Sequence, residues 1–94
     1  MNTVYRALSD PTRRRILQML RERDMTAGEI ADQFNLAKPT ISRHFAVLKE
    51  AELIVGEKSG TKITYSINAS VLEEALMLLL DAFKLPRKGP DDNE

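Results

Sequence analysis

Apolar residues recur at helical intervals over most of this chain, separated by residues suited to caps and turns. Val4, Tyr5, Ala7 and Leu8 predict a short first helix, closed by Ser9-Asp10-Pro11. Asp10 is a good N-cap, and Pro11 then takes the first helical position, where its missing N–H would have no partner anyway. A second helix is expected from there to about Arg23, with Ile16, Leu17 and Leu20 inward. Thr26 and Glu29 have capping-box spacing for a third helix, whose apolar face carries Ile30, Ala31 and Phe34. Asn35-Leu36-Ala37 makes the turn into a fourth helix, spanning about Lys38 to Ala51. On it Ile41, Phe45 and Leu48 fall within about 60° of one another and must face a core. Pro39, Ser42, Arg43 and Ala46 then point largely away.

The rhythm changes after this helix. Ile63, Tyr65 and Ile67 alternate with Lys62, Thr64 and Ser66, which is the period of a strand. Leu53 to Lys58 supplies the other arm of a β-hairpin and Ser59-Gly60-Thr61 its turn. Ser70 and Glu73 repeat the capping-box spacing and predict a last helix through Val71, Leu72, Ala75, Leu76, Leu79 and Phe83. Pro86 stops it, and residues 86–94 are expected to form a disordered tail of proline, glycine and charge. The predicted order is α-α-α-α-β-β-α, mainly α with a β-hairpin wing. This is a winged helix-turn-helix in a single domain over residues 1–85.

Length and composition narrow the class. Ninety-four residues allow one domain. The absence of cysteine removes disulfides and thiolate chemistry. No apolar run follows a basic N-terminal segment, so no signal peptide is expected. The longest apolar run, Ala75 to Leu80, is six residues, against roughly 20 for a membrane helix. A cytoplasmic protein without membrane insertion is the simplest expectation. Zero net charge looks poor for a polyanion binder until it is divided along the chain. Residues 1–69 hold eleven Lys/Arg against eight Asp/Glu, and residues 70–94 three against six. Local sign steers a polyanion, and from Leu36 to Lys49 there are cations but no acid.

The outward face of the fourth helix is therefore the leading candidate for chemistry. Lys38 and Arg43 can reach phosphates or guanine O6 and N7, and the hydroxyls of Thr40 and Ser42 can bond bases or phosphates. Ala46 adds little bulk, so the helix can approach a groove closely. An ordinary solvated face would mix acids with these cations, and here none occurs until Glu50. On the hairpin, Lys58, Ser59, Thr61 and Lys62 near the tip can lie along a DNA backbone or enter the minor groove, the alternative being a solubilising surface hairpin. His44, at the edge of the core face, is a structural residue or a phosphate or base contact; no partner is spaced to make it a metal ligand. Arg13-Arg14-Arg15 point in three directions and cannot form one patch, and one or two are expected to pair with acids such as Asp10 or Glu22. No nucleophile with a base and no phosphate-cradling glycine loop occurs, so no enzyme is expected. The competing class is a winged-helix protein-interaction module without DNA binding, which would show acids or an apolar patch on the fourth helix.

The last helix carries apolar groups all round at Leu76-Met77-Leu78-Leu79-Leu80, although a surface helix of a monomer needs one stripe. One side is expected to cover the core and the other to meet a second subunit with help from the first helix. The dimer residues are then Val4, Tyr5, Leu8, Leu72, Leu76, Leu79, Leu80 and Phe83.

Four segments together resemble the ArsR family of bacterial repressors, and within it the short SdpR-type autorepressors. They are Ala7 to Leu17, Thr26 to Ala31, Pro39 to His44 and Gly60 to Tyr65. The resemblance implies a homodimeric winged helix that represses transcription, usually at its own promoter, by binding a palindromic operator in double-stranded DNA. It carries DNA contacts to Lys38, Pro39, Thr40, Ser42 and Arg43, with the wing at Lys58 and Lys62. It also implies a candidate inducing partner, a membrane immunity protein. Ala37 stands where the family often has a capping serine, and Glu52 where glycine is common. Thiol sensors of the family keep cysteines at the start of the third helix, where this chain has Thr26 and Gly28; others use His and carboxylates on the last helix, where only Glu73, Glu74 and Asp81 are available, so no cofactor or metal is expected.

Overall fold

The computed structural model describes residues 2–86. Its elements run α1 (Asn2–Leu8), α2 (Pro11–Glu22), β1 (Met25–Thr26), α3 (Ala27–Ala31), α4 (Lys38–Glu50), β2 (Ile54–Ser59), β3 (Lys62–Ile67) and α5 (Ala69–Ala82). Apart from Pro86, the tail expected at 86–94 lies outside the described residues.

Local sequence explains most boundaries. Asp10 caps α2 as expected, its carboxylate accepting from the amides of Thr12 and Arg13 while Pro11 opens the helix. The Thr26–Glu29 capping box is formed in both directions: Glu29 N–H donates to Thr26 Oγ1 at 3.1 Å and Thr26 N–H to Glu29 Oε1 at 2.9 Å. The acid so held titrates below its ordinary range, chiefly because the Thr26 amide bonds the charged form. The equivalent expectation at Ser70 and Glu73 is corrected. α5 starts two residues earlier than that box requires, its N-cap is Asn68, and no side chain caps it. Ser70 is already inside the helix.

α3 is also shorter than the periodicity predicts. It ends at Ala31, and the chain then tightens, with Gln33 N–H bonding Ile30 O and Phe34 N–H bonding Ala31 O. This keeps Phe34 half-buried against the core, but the connection to α4 becomes six residues, Asp32 to Ala37.

The sheet has three strands in the order β1-β3-β2, all antiparallel. β1 was not foreseen. It pairs Met25 with Tyr65 and Thr26 with Thr64, tying the start of α3 to the base of the wing. A two-residue strand is too short to show a period. Ser59 pairs with Lys62, so the wing turns through Gly60 and Thr61, and Gly60 has φ +63 as a tight loop with glycine first requires. Gly56 lies opposite Tyr65, where a Cβ would stand 2.9 Å from the ring. The missing side chain lets the buried ring of Tyr65 lie across the strand. Its ring meets Phe45 of α4 at a centroid distance of 4.9 Å, and burial pushes its phenol pKa up.

One core joins these elements. Ile16, Leu20, Ile30, Leu48 and Leu53 are its fully buried large side chains, with Ile41, Phe45 and Tyr65 beside them. Glu52 follows α4 with φ 61, so this chain places a non-glycine residue in the left-handed region.

Candidate nucleic-acid interface

α4 divides into two faces. Ile41, Phe45, Val47 and Leu48 are buried, and Lys38, Pro39, Ser42, Arg43 and Ala46 are exposed, with Thr40 half-buried. The helix begins without a side-chain cap at Ala37 and carries no acid in its first turn. Its positive dipole end is therefore presented beside the Lys38 ammonium.

The structure brings this face together with the wing through residues not singled out in the sequence. A groove of about 200 Å³ between α3 and α4 is lined by Ala27, Gly28, Ala31, Lys38, Ile41, Ser42 and Phe45. A second of about 240 Å³ runs between the start of α3 and the wing, lined by Thr26, Ala27, Gly28, Thr61, Lys62 and Ile63. Ala27 and Gly28 line both. Lys38 and Ser42 thus stand on one side of a floor of small residues, and Thr61 and Lys62 on the other. Small side chains at the start of α3 were the available signal. Lys58 is also exposed on the wing, on β2, where it pairs with Ile63 of the neighbouring strand. Glu29, which follows Gly28 in α3, is held by the Thr26 amide, with Arg23 at 3.7 Å and the Lys62 charge also acting on it.

His44 stands apart from the exposed set. Its side chain is 15% exposed and its Nδ1 lies 3.1 Å from the Arg13 guanidinium and 3.9 Å from the Asp10 carboxylate. The ring is turned toward the α1–α2 corner rather than lying flat on the outer face. The expected pairing of the arginine run with acids is corrected as well. Arg13 donates to Arg6 O and Ala7 O, and Arg14 to Leu8 O, so both satisfy carbonyls at the end of α1. Partial burial works to raise the Asp10 pKa, but the Arg13 and Thr12 amides, which bond the charged form, and the Arg13 charge outweigh it and hold the carboxyl below its ordinary value.

The second candidate surface is α5. Among its described residues only Ala75 is buried; Leu76, Met77 and Leu78 are exposed, as is Phe83 just beyond the helix at 70%. Tyr5, Leu8, Leu72, Leu79 and Leu80 are half-buried. Val4 is removed from the expected set, because at 5% exposure it packs into its own subunit's core. The Tyr5 hydroxyl donates to Ala75 O at 3.3 Å and fixes α1 beside α5. Among the described residues no three of His, Cys, Asp or Glu gather to hold a metal ion, and no helix is long and apolar enough to cross a membrane.

Residues 10–55, from the α2 cap to the start of the wing, match the family described as bacterial regulatory protein, arsR family. The chain is 47% identical to the transcriptional repressor SdpR of Bacillus subtilis over 92 residues, covering 98% of this chain and 99% of that protein. The chain belongs to the ArsR family. Its fold agrees with that of a solved ArsR-family transcriptional regulator, RHA00566, with TM-score 0.82 and 29% identity over 88% of this chain and 91% of that one. It also matches the homodimeric winged helix-turn-helix DNA-binding domain Mb0332 of Mycobacterium bovis, with TM-score 0.70 over 88% of this chain and 78% of that one. At 24% identity that second likeness concerns the fold alone. ArsR-family proteins are transcriptional regulators, and the winged helix-turn-helix described above is their architecture.

Proposed function

We propose that this ArsR-family chain acts as a homodimeric repressor that occupies a palindromic operator, including one at its own promoter, through α4 and the wing. The observation that carries this reading is the continuous surface from Lys38 and Ser42, across Ala27 and Gly28, to Thr61 and Lys62. Its small-residue floor admits a DNA backbone while α4 enters the major groove. Arg43 is the base-reading residue, since a guanidinium can contact guanine O6 and N7 together. Lys38, Thr40 and Ser42 hold phosphates or base edges at the start of α4, with Pro39 packed at the groove edge, and Lys58, Thr61 and Lys62 follow the backbone from the wing.

The dimer is built on α5 with α1. Leu72, Leu76, Leu79 and Phe83 follow the alternating four- and three-residue spacing of a two-helix seam. Burying each exposed leucine there stabilises by about 1.5–3 kcal/mol. Such a dimer works in the cytoplasm, where the chromosome is. Release from DNA is assigned to a protein partner of the membrane-immunity type that SdpR-like systems imply, and loss of operator binding on adding that protein's cytoplasmic segments tests it.

Selection from a randomised duplex library, followed by electrophoretic shift over a salt series, tests the whole reading. The expected result is a two-fold symmetric duplex and an affinity that falls steeply with salt, because phosphate contacts release counterions. Salt-independent or absent binding would assign the fold to protein interaction instead.

A further inference from the structure

Arg13 sits where α1 gives way to α2, and its guanidinium joins elements that carry different tasks. Nε donates to Ala7 O at 2.9 Å and one terminal nitrogen to Arg6 O at 3.0 Å, which satisfies two last-turn carbonyls of α1. The other terminal nitrogen lies 3.1 Å from Nδ1 of His44 on α4. A guanidinium has no acceptor, so Nδ1 accepts this bond and the neutral ring carries its proton on Nε2. Asp10 steadies the corner from below, its carboxylate holding the Arg13 amide at 3.2 Å. Among the described residues, Arg13–His44 is the one side-chain hydrogen bond between α4 and another element. Apart from this bond and the approach of His44 Nδ1 to Asp10 at 3.9 Å, α4 is held through its buried Ile41, Phe45, Val47 and Leu48, and apolar burial does not prescribe direction.

We propose that Arg13 is a positioning residue: through Nδ1 of His44 it fixes the orientation of α4 against the end of α1, and so sets the separation of the two recognition helices across the dimer. The proposal rests on the dimeric DNA-binding reading above. α1 is pinned to α5 by the Tyr5–Ala75 bond, so a rotation of α4 against α1 is a rotation against the dimer axis. A swing of about 10–20° is enough to spoil a placed contact. Arg13 and His44 therefore govern which half-site spacing is accepted, without Arg13 touching a base.

The test uses the full chain and the duplex that the wild-type protein selects from a randomised library, together with derivatives whose half-sites are one base pair closer or farther apart. Arg13→Ala should bind the selected duplex about tenfold more weakly, the scale of one spoiled base contact, and should lose most of its preference over the altered spacings. Its sedimentation should remain that of the wild type. His44→Asn sets an amide oxygen near the position of Nδ1 and should keep the wild-type spacing preference, whereas His44→Gln sets its polar group near Nε2 and should lose it as Arg13→Ala does. Both His44 variants leave the α1 carbonyl bonds in place, so they decide the matter even where Arg13→Ala folds poorly. A preserved preference in His44→Gln with a lost one in His44→Asn would overturn the proposal, since the ring would then act through Nε2 on DNA. An unchanged preference in all three variants would overturn it too, leaving Arg13 as a helix cap only. Failure of the wild-type protein to select any palindrome would instead remove the dimeric reading itself, and this proposal with it.

Discussion

α4 and α5 are helices of 13 and 14 residues, yet they stand in opposite relations to the subunit. α4 buries Ile41, Phe45, Val47 and Leu48 at home and turns Lys38, Ser42 and Arg43 outward. α5 buries Ala75 and leaves Leu76, Met77 and Leu78 in solvent. The apolar stripe of α4 is as narrow as one core requires, which leaves the residues beside it exposed for the DNA contact proposed above. That of α5 is too wide for one core, and its excess supports the proposed contact with a second subunit. On the proposed reading, a single chain of this length separates its two recognition tasks by the width of an apolar stripe.

The strongest test of that contrast pairs a core residue with an outward one. Leu48→Ala should lower unfolding stability by about 2–5 kcal/mol in urea, because the cavity it leaves is fully enclosed. Leu76→Glu should leave far-UV helicity in place and give a sedimenting monomer at micromolar concentration that binds the selected duplex poorly. A dimeric Leu76→Glu protein, or a barely destabilised Leu48→Ala protein, would break the division between the two helices.

The next effect concerns what the outer face of α4 does that the wing does not. Arg43→Ala should lower affinity for the selected duplex by about 1–3 kcal/mol and relax the preference at one base. Lys62→Ala should weaken all duplexes alike and reduce the salt slope by about 1. Equal losses on selected and random DNA for Arg43→Ala would move it from base reading to phosphate contact.

How far the sequence was legible follows the same line between local and distant causes. The Asp10 cap, the Thr26–Glu29 box and the stripe of Ile41, Phe45 and Leu48 are set by neighbours within one or two helical turns, and all are found as expected. Three features depend on residues far apart in the chain and were not visible. β1 exists only because Met25 and Thr26 meet Tyr65 and Thr64. Ala27 and Gly28 become a floor only when the wing folds over the start of α3. Arg13 looks like an ion-pair residue until α1 supplies carbonyls and α4 a ring nitrogen. Val4 failed in a different way: a short helix shows its apolar residues, but not which of them its own subunit keeps.

A smaller effect belongs to the Asp10 cap, which supports the α4 side of the contrast from beneath. Asp10→Ala should destabilise by about 1 kcal/mol, the usual worth of a lost N-cap. The folded carboxyl titrates below its ordinary value of 3.8, so between the two values the unfolded chain holds more protons. The contribution of the charge is therefore full above the ordinary value and fades as pH falls through the lowered one. Asp10→Asn keeps an oxygen for the amides and should flatten the acid limb of a urea-stability profile. An acid limb as steep as the wild type's would place the titrating group elsewhere. At the other end of α4, Glu52→Gly should stabilise by about 0.5–1 kcal/mol, since φ 61 strains a side chain but not glycine. A loss of stability would mean that the Glu52 side chain contributes more than its backbone strain removes.

The smallest expected effect separates two sequence patterns that look alike. Thr26 and Glu29 open α3, and Ser70 and Glu73 lie at the start of α5, both with capping-box spacing. Only the first is formed, because Thr26 is extended, with φ −74 and ψ 159, and its hydroxyl can turn back to the Glu29 amide. Ser70 already lies in α5, behind the N-cap Asn68, and no side chain caps that helix. Thr26→Ala should thus cost about 1 kcal/mol. Ser70→Ala should fall within about 0.5 kcal/mol of the wild type, as an exposed helix position without a cap role does. Parallel urea titrations of the two variants at equal protein concentration measure the difference. Equal losses would show that Ser70 caps α5 in solution and that this helix begins two residues later than Ala69, at Val71.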